Sequence, residues 1–160
     1  MDRARIEQIL YAAGFSHKGT SGFGHTYVLD LGNGYVIDVF AAIEGASFFG
    51  PPADPSKIKR VSCSLKAGGT TYRFNSENAL AANLSGTIAE LRRVSQNPDL
   101  LKCPECGVRN VHMKEPLSSS HKQFEPFLSC DGMQVQGQGN KKGIACYGTS
   151  NKLPALINYK

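Results

Sequence analysis

Apolar residues recur along the first 95 positions at two spacings, and each spacing predicts a different kind of element. A spacing of three to four residues over positions 2–13 and 76–95 predicts two amphipathic helices, with Asp2 and Ser76 as their N-caps. Alternation of apolar and polar residues predicts four strands between the helices, at positions 26–31, 35–40, 58–66 and 70–74.

The glycine-flanked Asn33 predicts a tight turn between the first two strands. A three-residue turn places Leu29 opposite Ile37 and Tyr27 opposite Val39, which gives this hairpin one fully apolar face. We therefore expect this register, because a two-residue turn would pair apolar residues with charged ones.

Two adjacent glycines at 68–69 predict the turn between the last two strands. A two-residue turn there places Leu65 opposite Tyr72 and Cys63 opposite Phe74. Cys63 then belongs to an apolar sheet face, and we expect it to be a core residue rather than a metal ligand.

These elements predict an α+β unit of order α-β-β-β-β-α, an antiparallel sheet with the helices over one face. The unit covers residues 1–95, and residues 96–101 form a linker. Residues 102–160 are predicted to form a small four-cysteine zinc ribbon with a C-terminal tail. Within the first unit, residues 16–25 and 41–57 are rich in glycine, serine or proline and are predicted to be loops.

Four of the five cysteines lie in the last third of the chain, where two residues separate Cys103 from Cys106. A Cys-x2-Cys turn presents two thiolates from one loop in the geometry that a tetrahedral Zn²⁺ needs. Cys130 follows after 23 residues and Cys146 after a further 15, and hairpin ends can bring both to the same ion. The pattern predicts one structural zinc ion, whose binding would supply much of the folding free energy of so small a segment.

Two alternatives to this ligand set stay open at the level of the sequence. His112 or His121 could replace Cys146 as the fourth ligand, because the gap before Cys146 is long. Cys103 and Cys106 could instead form a redox pair, although the residues after them do not begin a helix, as such pairs usually do.

The motif Cys-Pro-Glu-Cys-Gly at 103–107 and the later Phe-Leu-Ser-Cys at 127–130 resemble the four-cysteine zinc ribbons at the C-terminus of type IA DNA topoisomerases. The resemblance covers about residues 102–148. It departs between the last two cysteines, where that family usually has a short gap and this chain has 15 residues. The resemblance implies a module that binds single-stranded DNA. It implies no topoisomerase activity, because nothing of the catalytic core is present.

Basic and aromatic residues interleave in the same segment, which is typical of proteins that bind single-stranded nucleic acid by phosphate contact and base stacking. We expect sequence-tolerant binding that weakens steeply with salt. The alternative is that the aromatic residues form the ribbon's own core, for which Phe127 is the strongest candidate. The candidate nucleic-acid-binding residues are Lys102, Arg109, Lys114, Lys122, Lys141, Lys142, Phe124 and Tyr147.

Charge permits nucleic-acid binding without requiring it. The formal net charge is +5, and residues 101–160 carry 8 Lys/Arg against 4 Asp/Glu. Four thiolates on one Zn²⁺ would lower that segment to about +2. No apolar run is long enough to span a bilayer and the first residues lack the apolar segment of a secretory signal, so we expect a cytoplasmic protein.

Support for catalysis is weak, and we expect no enzyme activity. Asp30 and Asp38 are predicted to share the exposed face of a hairpin. His17 and His25 flank a glycine-rich loop that lacks the Lys-Ser/Thr of a phosphate-binding loop.

The sequence thus predicts a zinc-ribbon protein that binds single-stranded DNA or RNA as an accessory factor. The alternative is a non-enzymatic inhibitor or adaptor that binds a protein of a nucleic-acid-processing complex, of the kind that mobile elements encode. For that alternative the predicted contact is the pair Phe48 and Phe49, next to a proline-rich loop.

Overall fold

The computed structural model describes residues 1–116, 121, 123–130 and 152–160. The helices are α1 (Arg3–Ala12) and α2 (Glu77–Ser95), and a short 3-10 helix covers Pro98–Leu101. The strands are β1 (Ser16–Ser21), β2 (Gly24–Asp30), β3 (Val36–Ile43), β4 (Ile58–Leu65), β5 (Gly68–Phe74), β6 (Val111–Lys114), β7 (Phe127–Cys130) and β8 (Leu156–Tyr159). The protein is therefore α+β, as predicted.

Local hydrogen bonds set the ends of both helices. The Asp2 carboxylate accepts from the backbone N–H of Arg5 at 3.2 Å, and the Ser76 hydroxyl accepts from the N–H of Ala79 at 3.1 Å. Gly14 follows α1 in a left-handed conformation, with φ of 92°. Both predicted helices are confirmed.

The predicted loop at residues 16–25 is wrong. Strand β1 lies there and pairs antiparallel with β2, so five strands rather than four precede α2. Nearly every residue of β1 is exposed, because the strand lies at the edge of the sheet. The sequence does not predict this strand, because backbone hydrogen bonds hold it at the edge and its residues show no alternation of apolar and polar positions.

The hairpin of β2 and β3 has the predicted register. Leu29 lies opposite Ile37 and Tyr27 opposite Val39. Tyr27, Ile37 and Val39 are fully buried, so the apolar face of this hairpin is the one that enters the core.

The hairpin of β4 and β5 differs from its predicted register by two residues as far as Cys63, and beyond an irregularity there Leu65 lies opposite Gly68 rather than Tyr72. Cys63 lies opposite Tyr72 rather than Phe74, and the turn consists of residues 66–67. The glycines at 68–69 instead begin β5, with φ of 121° and 86°. A shift of two residues leaves each side chain on the same face, so Cys63 is still fully buried in the core, as predicted.

Both helices pack on one face of the sheet and share a core with it. The helices contribute Ile6, Leu10, Leu80, Leu84, Leu91 and Val94, and the strands contribute Tyr27, Ile37, Val39, Val61, Cys63, Tyr72 and Phe74. Each large apolar side chain buried there contributes about 1.5–3 kcal/mol, so this core supplies most of the stability.

The sheet continues past the boundary predicted between the two units. Strand β6 runs parallel to β5, with His112 opposite Gly69, and β7 pairs antiparallel with β6. Strand β8 pairs parallel with β5 over residues 71–74. The predicted linker holds the 3-10 helix, whose Leu101 is fully buried. The division into two units stays a prediction, and the described strands join the two parts through β5.

No helix among the described residues is long and apolar enough to cross a membrane.

Candidate metal centre

Two of the predicted ligands lie on a tight loop between the 3-10 helix and β6. The N–H of Cys103 donates to the carbonyl of Arg109 at 2.8 Å, and the N–H of Gly107 donates to the carbonyl of Cys103 at 2.9 Å. Gly107 has φ of 64°, a left-handed conformation that glycine adopts at little cost. This loop places Cys103 and Cys106 beside each other, as the Cys-x2-Cys spacing predicts.

The hairpin of β6 and β7 brings the third cysteine to the same place. Cys130 ends β7 opposite Val111, and its Sγ lies 3.8 Å from that of Cys106. The Sγ atoms of Cys103, Cys106 and Cys130 all lie within 4.8 Å of one another. Four Zn–S bonds of about 2.3 Å in a tetrahedron place the sulfurs about 3.8 Å apart, so this spacing fits a metal ion. None of the described cysteines forms a disulfide.

The surroundings of Cys106 favour its thiolate form. Cys103 and Cys130 are buried and Cys106 is half-buried. Hydrogen bonds from the backbone N–H groups of Arg109 and Val108 lower the pKa of the Cys106 thiol to about 6. Because the thiolate is the form that binds metals, these three cysteines could bind a metal ion.

No fourth potential ligand joins the three cysteines among the described residues. Cys146, the predicted fourth ligand, lies outside the described residues. His112 and His121 are described, and neither belongs to the group of ligand atoms around the three cysteines. The ring of His112 instead lies beside Gly68 on β5.

Three of the predicted nucleic-acid-binding residues lie on the cysteine loop and its hairpin. The Nζ of Lys102 donates to the carbonyl of Val108 at 3.0 Å, and Arg109 belongs to the cysteine loop itself. Lys114 lies opposite Phe127 at the far end of the hairpin. Four others lie outside the described residues: Lys122, Lys141, Lys142 and Tyr147.

Phe124 and Phe127 form an aromatic pair on the same hairpin. Their ring centroids are 5.6 Å apart and the rings are tilted by 60°. They are 43% and 39% exposed, so the expectation that Phe127 is a core residue is wrong. Leu128, Ser129 and Cys130 are all buried, and Phe127, the first residue of β7, is the exposed one.

Phe48 and Phe49 lie far from the cysteines in sequence and are 84% and 102% exposed. The ring of Phe48 contacts that of Phe23, with centroids 4.5 Å apart. We call Phe23, Phe48 and Phe49 the aromatic tip. The contact of Phe23 with Phe48 could not be predicted from the sequence, because Phe23 lies in the segment that is expected to be a loop.

The two histidines of the first unit meet in a hydrogen-bond network. His25 is fully buried, its Nε2–H donates to the carbonyl of Pro55 at 2.8 Å, and Thr20 lies 2.9 Å from its Nδ1. Since the carbonyl can only accept, Nε2 supplies the hydrogen of that bond, and the Thr20 hydroxyl is the partner of Nδ1. The Nε2 of His17 lies 3.2 Å from the same hydroxyl oxygen. Both nitrogens of His25 are therefore engaged in fastening the proline-rich loop to β1 and β2.

Asp30 and Asp38 are diagonal neighbours on one face of their hairpin, as predicted. In the register of β2 and β3 they lie opposite Val36 and Val28. The Asp30 carboxylate accepts from the N–H of Gly32 at 2.8 Å, which is a turn contact. Among the described residues, the cysteine cluster is the one group of three or more potential ligands that lie close enough to share an ion.

No protein-family model matches the chain, and no significant match was found among curated proteins or among solved structures. The resemblance to topoisomerase zinc ribbons therefore depends on the motif residues alone and stays a hypothesis.

Proposed function

We propose that this is a small zinc-ribbon protein that binds single-stranded DNA or RNA as an accessory factor. The observation that carries the proposal is the exposed pair Phe124 and Phe127 on the hairpin that also ends in a cysteine of the cluster. A rigid hairpin with outward aromatic rings is a suitable platform for unpaired bases.

One structural Zn²⁺ is the best occupant of the cluster. Thiolate ligands select zinc, copper(I) or iron–sulfur clusters over magnesium and calcium. Cys146 supplies the fourth thiolate in this proposal. Because protein ligands then fill all four positions, the ion has no open position for substrate and serves to hold the hairpin together.

The aromatic pair would contribute most of the affinity. Stacking on an aromatic side chain is worth about 1–3 kcal/mol per base and is tolerant of sequence, because every base has a π face. Lys114 lies directly opposite Phe127, so a phosphate next to a stacked base would be within reach of its ammonium group.

Fluorescence anisotropy with a labelled single strand of about 20 nucleotides at low salt tests the proposal. The double variant Phe124→Ala/Phe127→Ala should bind about 10- to 100-fold more weakly than the wild type. Phe40→Ala is the matched control, because Phe40 is also 39% exposed but lies on β3. It is not part of the hairpin of β6 and β7 with its cysteine loop, which we call the metal hairpin. Failure of the wild type to bind at tens of micromolar protein would refute the proposal, as would an equal loss in the control.

A second candidate function is protein binding through the aromatic tip. Phe49 is completely exposed and Phe48 nearly so, and solvent-exposed aromatic residues are enriched as anchors at protein interfaces. The adjoining prolines at 51–52 restrict the backbone, which lowers the entropy lost on binding. In this candidate the protein is an inhibitor or adaptor of a nucleic-acid-processing complex.

Capture of partners from a nuclease-treated host lysate separates the two candidates. A partner retained by the Phe124→Ala/Phe127→Ala variant and lost with Phe48→Ala/Phe49→Ala supports the protein-binding candidate. A partner that disappears on nuclease treatment, or is retained by the tip variant, contradicts it.

A further inference from the structure

Strand β5 is the junction between the helix-covered sheet and the metal hairpin. One edge of β5 pairs with β4. The other edge is shared by two parallel neighbours, since His112 of β6 lies opposite Gly69 and β8 pairs with residues 71–74. The outer edge of β5 is therefore closed by two segments that both come from the last third of the chain.

Two glycines make the contact with the metal hairpin sterically feasible. A Cβ placed on Gly68 would lie 2.3 Å from the carbonyl oxygen of Val111, which belongs to β6. A Cβ on Gly69 would lie 2.7 Å from the Cδ2 of Leu101. Real Cβ atoms do not approach other atoms so closely, so only glycine lets β6 and the 3-10 helix pack this near to β5.

The metal hairpin has too small a core to hold itself in this position. Its buried residues are Cys103, Val111, Leu128 and Cys130, and two of these four are candidate ligands. Leu153 packs against this small core and also against the main core, and Ala155 packs against the small core alone. The segment that leads into β8 therefore packs on the same small core as β6 does.

We propose that metal occupancy of the cysteine cluster controls closure of the sheet at β5, so that metal loss opens the outer edge of this strand. The inference depends on the proposed metal site and adds a regulatory consequence to it. Without the metal, β6 loses its anchor and Leu153 loses one of the two cores it contacts, so β8 keeps its pairing with β5 and the contacts of Ile157 and Tyr159 with the main core but loses its support on the side of the hairpin.

Backbone hydrogen bonds show how β8 closes this edge. The N–H of Thr71 donates to the carbonyl of Ala155 at 2.9 Å, and the N–H of Asn75 donates to the carbonyl of Tyr159 at 3.1 Å. Release of β8 would leave these donors open to exchange with solvent.

Hydrogen exchange of the full chain, measured with bound zinc and after chelation, tests the inference. Chelation should raise the exchange rates of the Thr71 and Asn75 amides at least about tenfold and leave β2 and β3 unchanged. Unchanged rates at Thr71 and Asn75 in protein that has lost its metal would overturn the inference alone. A wild-type protein that binds no metal would overturn the proposed metal site, and the inference with it.

A glycine substitution separates the contact from the metal itself. Gly68→Ala should retain one metal ion per chain yet show the faster exchange of Thr71 and Asn75 without chelation. Gly45→Ala is the control, because Gly45 also has a positive φ, of 73°, but nothing lies within 4 Å of a Cβ at that position. Wild-type exchange rates in a folded, metal-bound Gly68→Ala protein would contradict the proposed coupling, and the chelation experiment still decides if this variant does not fold.

Discussion

Replacing Cys130 with serine should abolish metal binding and unfold the hairpin of β6 and β7, whereas Cys63→Ser should keep the metal. Both thiols are fully buried, so the two substitutions make the same chemical change at equal burial. Cys130 belongs to the ligand cluster, but Cys63 belongs to the core between the helices and the sheet. The pair therefore separates metal coordination from the general cost of a buried hydroxyl, which is about 1–3 kcal/mol.

The expected size of the Cys130→Ser effect follows from what the hairpin buries. Its fully buried aliphatic residues are Val111 and Leu128, worth about 3–6 kcal/mol together. Its hydrogen bonds add about 4 kcal/mol. Ordering the roughly 17 residues at 102–114 and 127–130 costs about 20 kcal/mol. The deficit of about 10–13 kcal/mol falls within the roughly 10–16 kcal/mol that a structural zinc ion supplies in zinc-finger peptides.

Metal content of the purified variants is the direct assay, and Co²⁺ substitution gives a thiolate-to-metal absorption band that reports on ligation. We expect one metal per chain in the wild type and in Cys63→Ser, and none in Cys130→Ser. Cys146→Ser should also lose the metal, while His112→Ala should keep it. A full equivalent of metal in Cys130→Ser, or its loss in Cys63→Ser, would refute the assignment of the cluster.

Two further predictions concern stability. Tyr27→Phe should cost about 1–2 kcal/mol, because the buried Tyr27 hydroxyl donates to the Glu7 carboxylate at 2.9 Å. Burial raises the pKa of the Glu7 carboxyl, but hydrogen bonds from Tyr27 and a neighbouring arginine outweigh it and bring the pKa below its usual value. This stabilisation is present at pH values above the pKa of Glu7 in the unfolded chain and is lost as pH falls through the pKa of Glu7 in the folded protein. Denaturant titrations at falling pH should therefore show a smaller decrease in the free energy of unfolding for Tyr27→Phe than for the wild type. Gly24→Ala should cost at least about 1–3 kcal/mol in thermal unfolding, because a Cβ would lie 2.4 Å from the Phe40 ring, whereas Gly86→Ala should stabilise α2 by up to about 1 kcal/mol.

The parts of the fold that sequence predicts well are those set by local chemistry. Asp2 and Ser76 cap their helices because their side chains bond to amides three residues away, whatever the rest of the chain does. The register of β2 and β3 follows from one short turn and a continuous apolar face. Three of the four described cysteines meet, and a Cys-x2-Cys turn already presents two of these together.

The parts that sequence does not predict depend on distant neighbours. Strand β1 exists because β2 offers it an edge, and its own residues carry no pattern. The glycines at 68–69 have the composition of a turn, yet they lie in β5 because β6 and Leu101 approach from a part of the chain over 30 residues away. The sequence does not predict the exposure of Phe127, since the next three residues of β7 are all buried and no alternation marks the exposed position.

The charges around the metal hairpin determine how the nucleic-acid proposal should respond to salt. Among the described residues, the segment from 102 to 130 carries three basic side chains, Lys102, Arg109 and Lys114, and three acidic ones at 105, 115 and 125. One of these acids, Glu115, pairs with Arg73 of β5, so it adds little net repulsion.

A strand bound only by the described hairpin would contact at most about three phosphates, which gives a slope of log affinity against log salt of about −2. A slope near −4 would require all six predicted basic residues, including Lys122, Lys141 and Lys142. Measuring the slope for the wild type and for the triple alanine variant of those three lysines distinguishes the two modes. If the slope is shallow and the triple variant leaves it unchanged, binding depends on stacking at Phe124 and Phe127, and the predicted steep salt dependence is wrong.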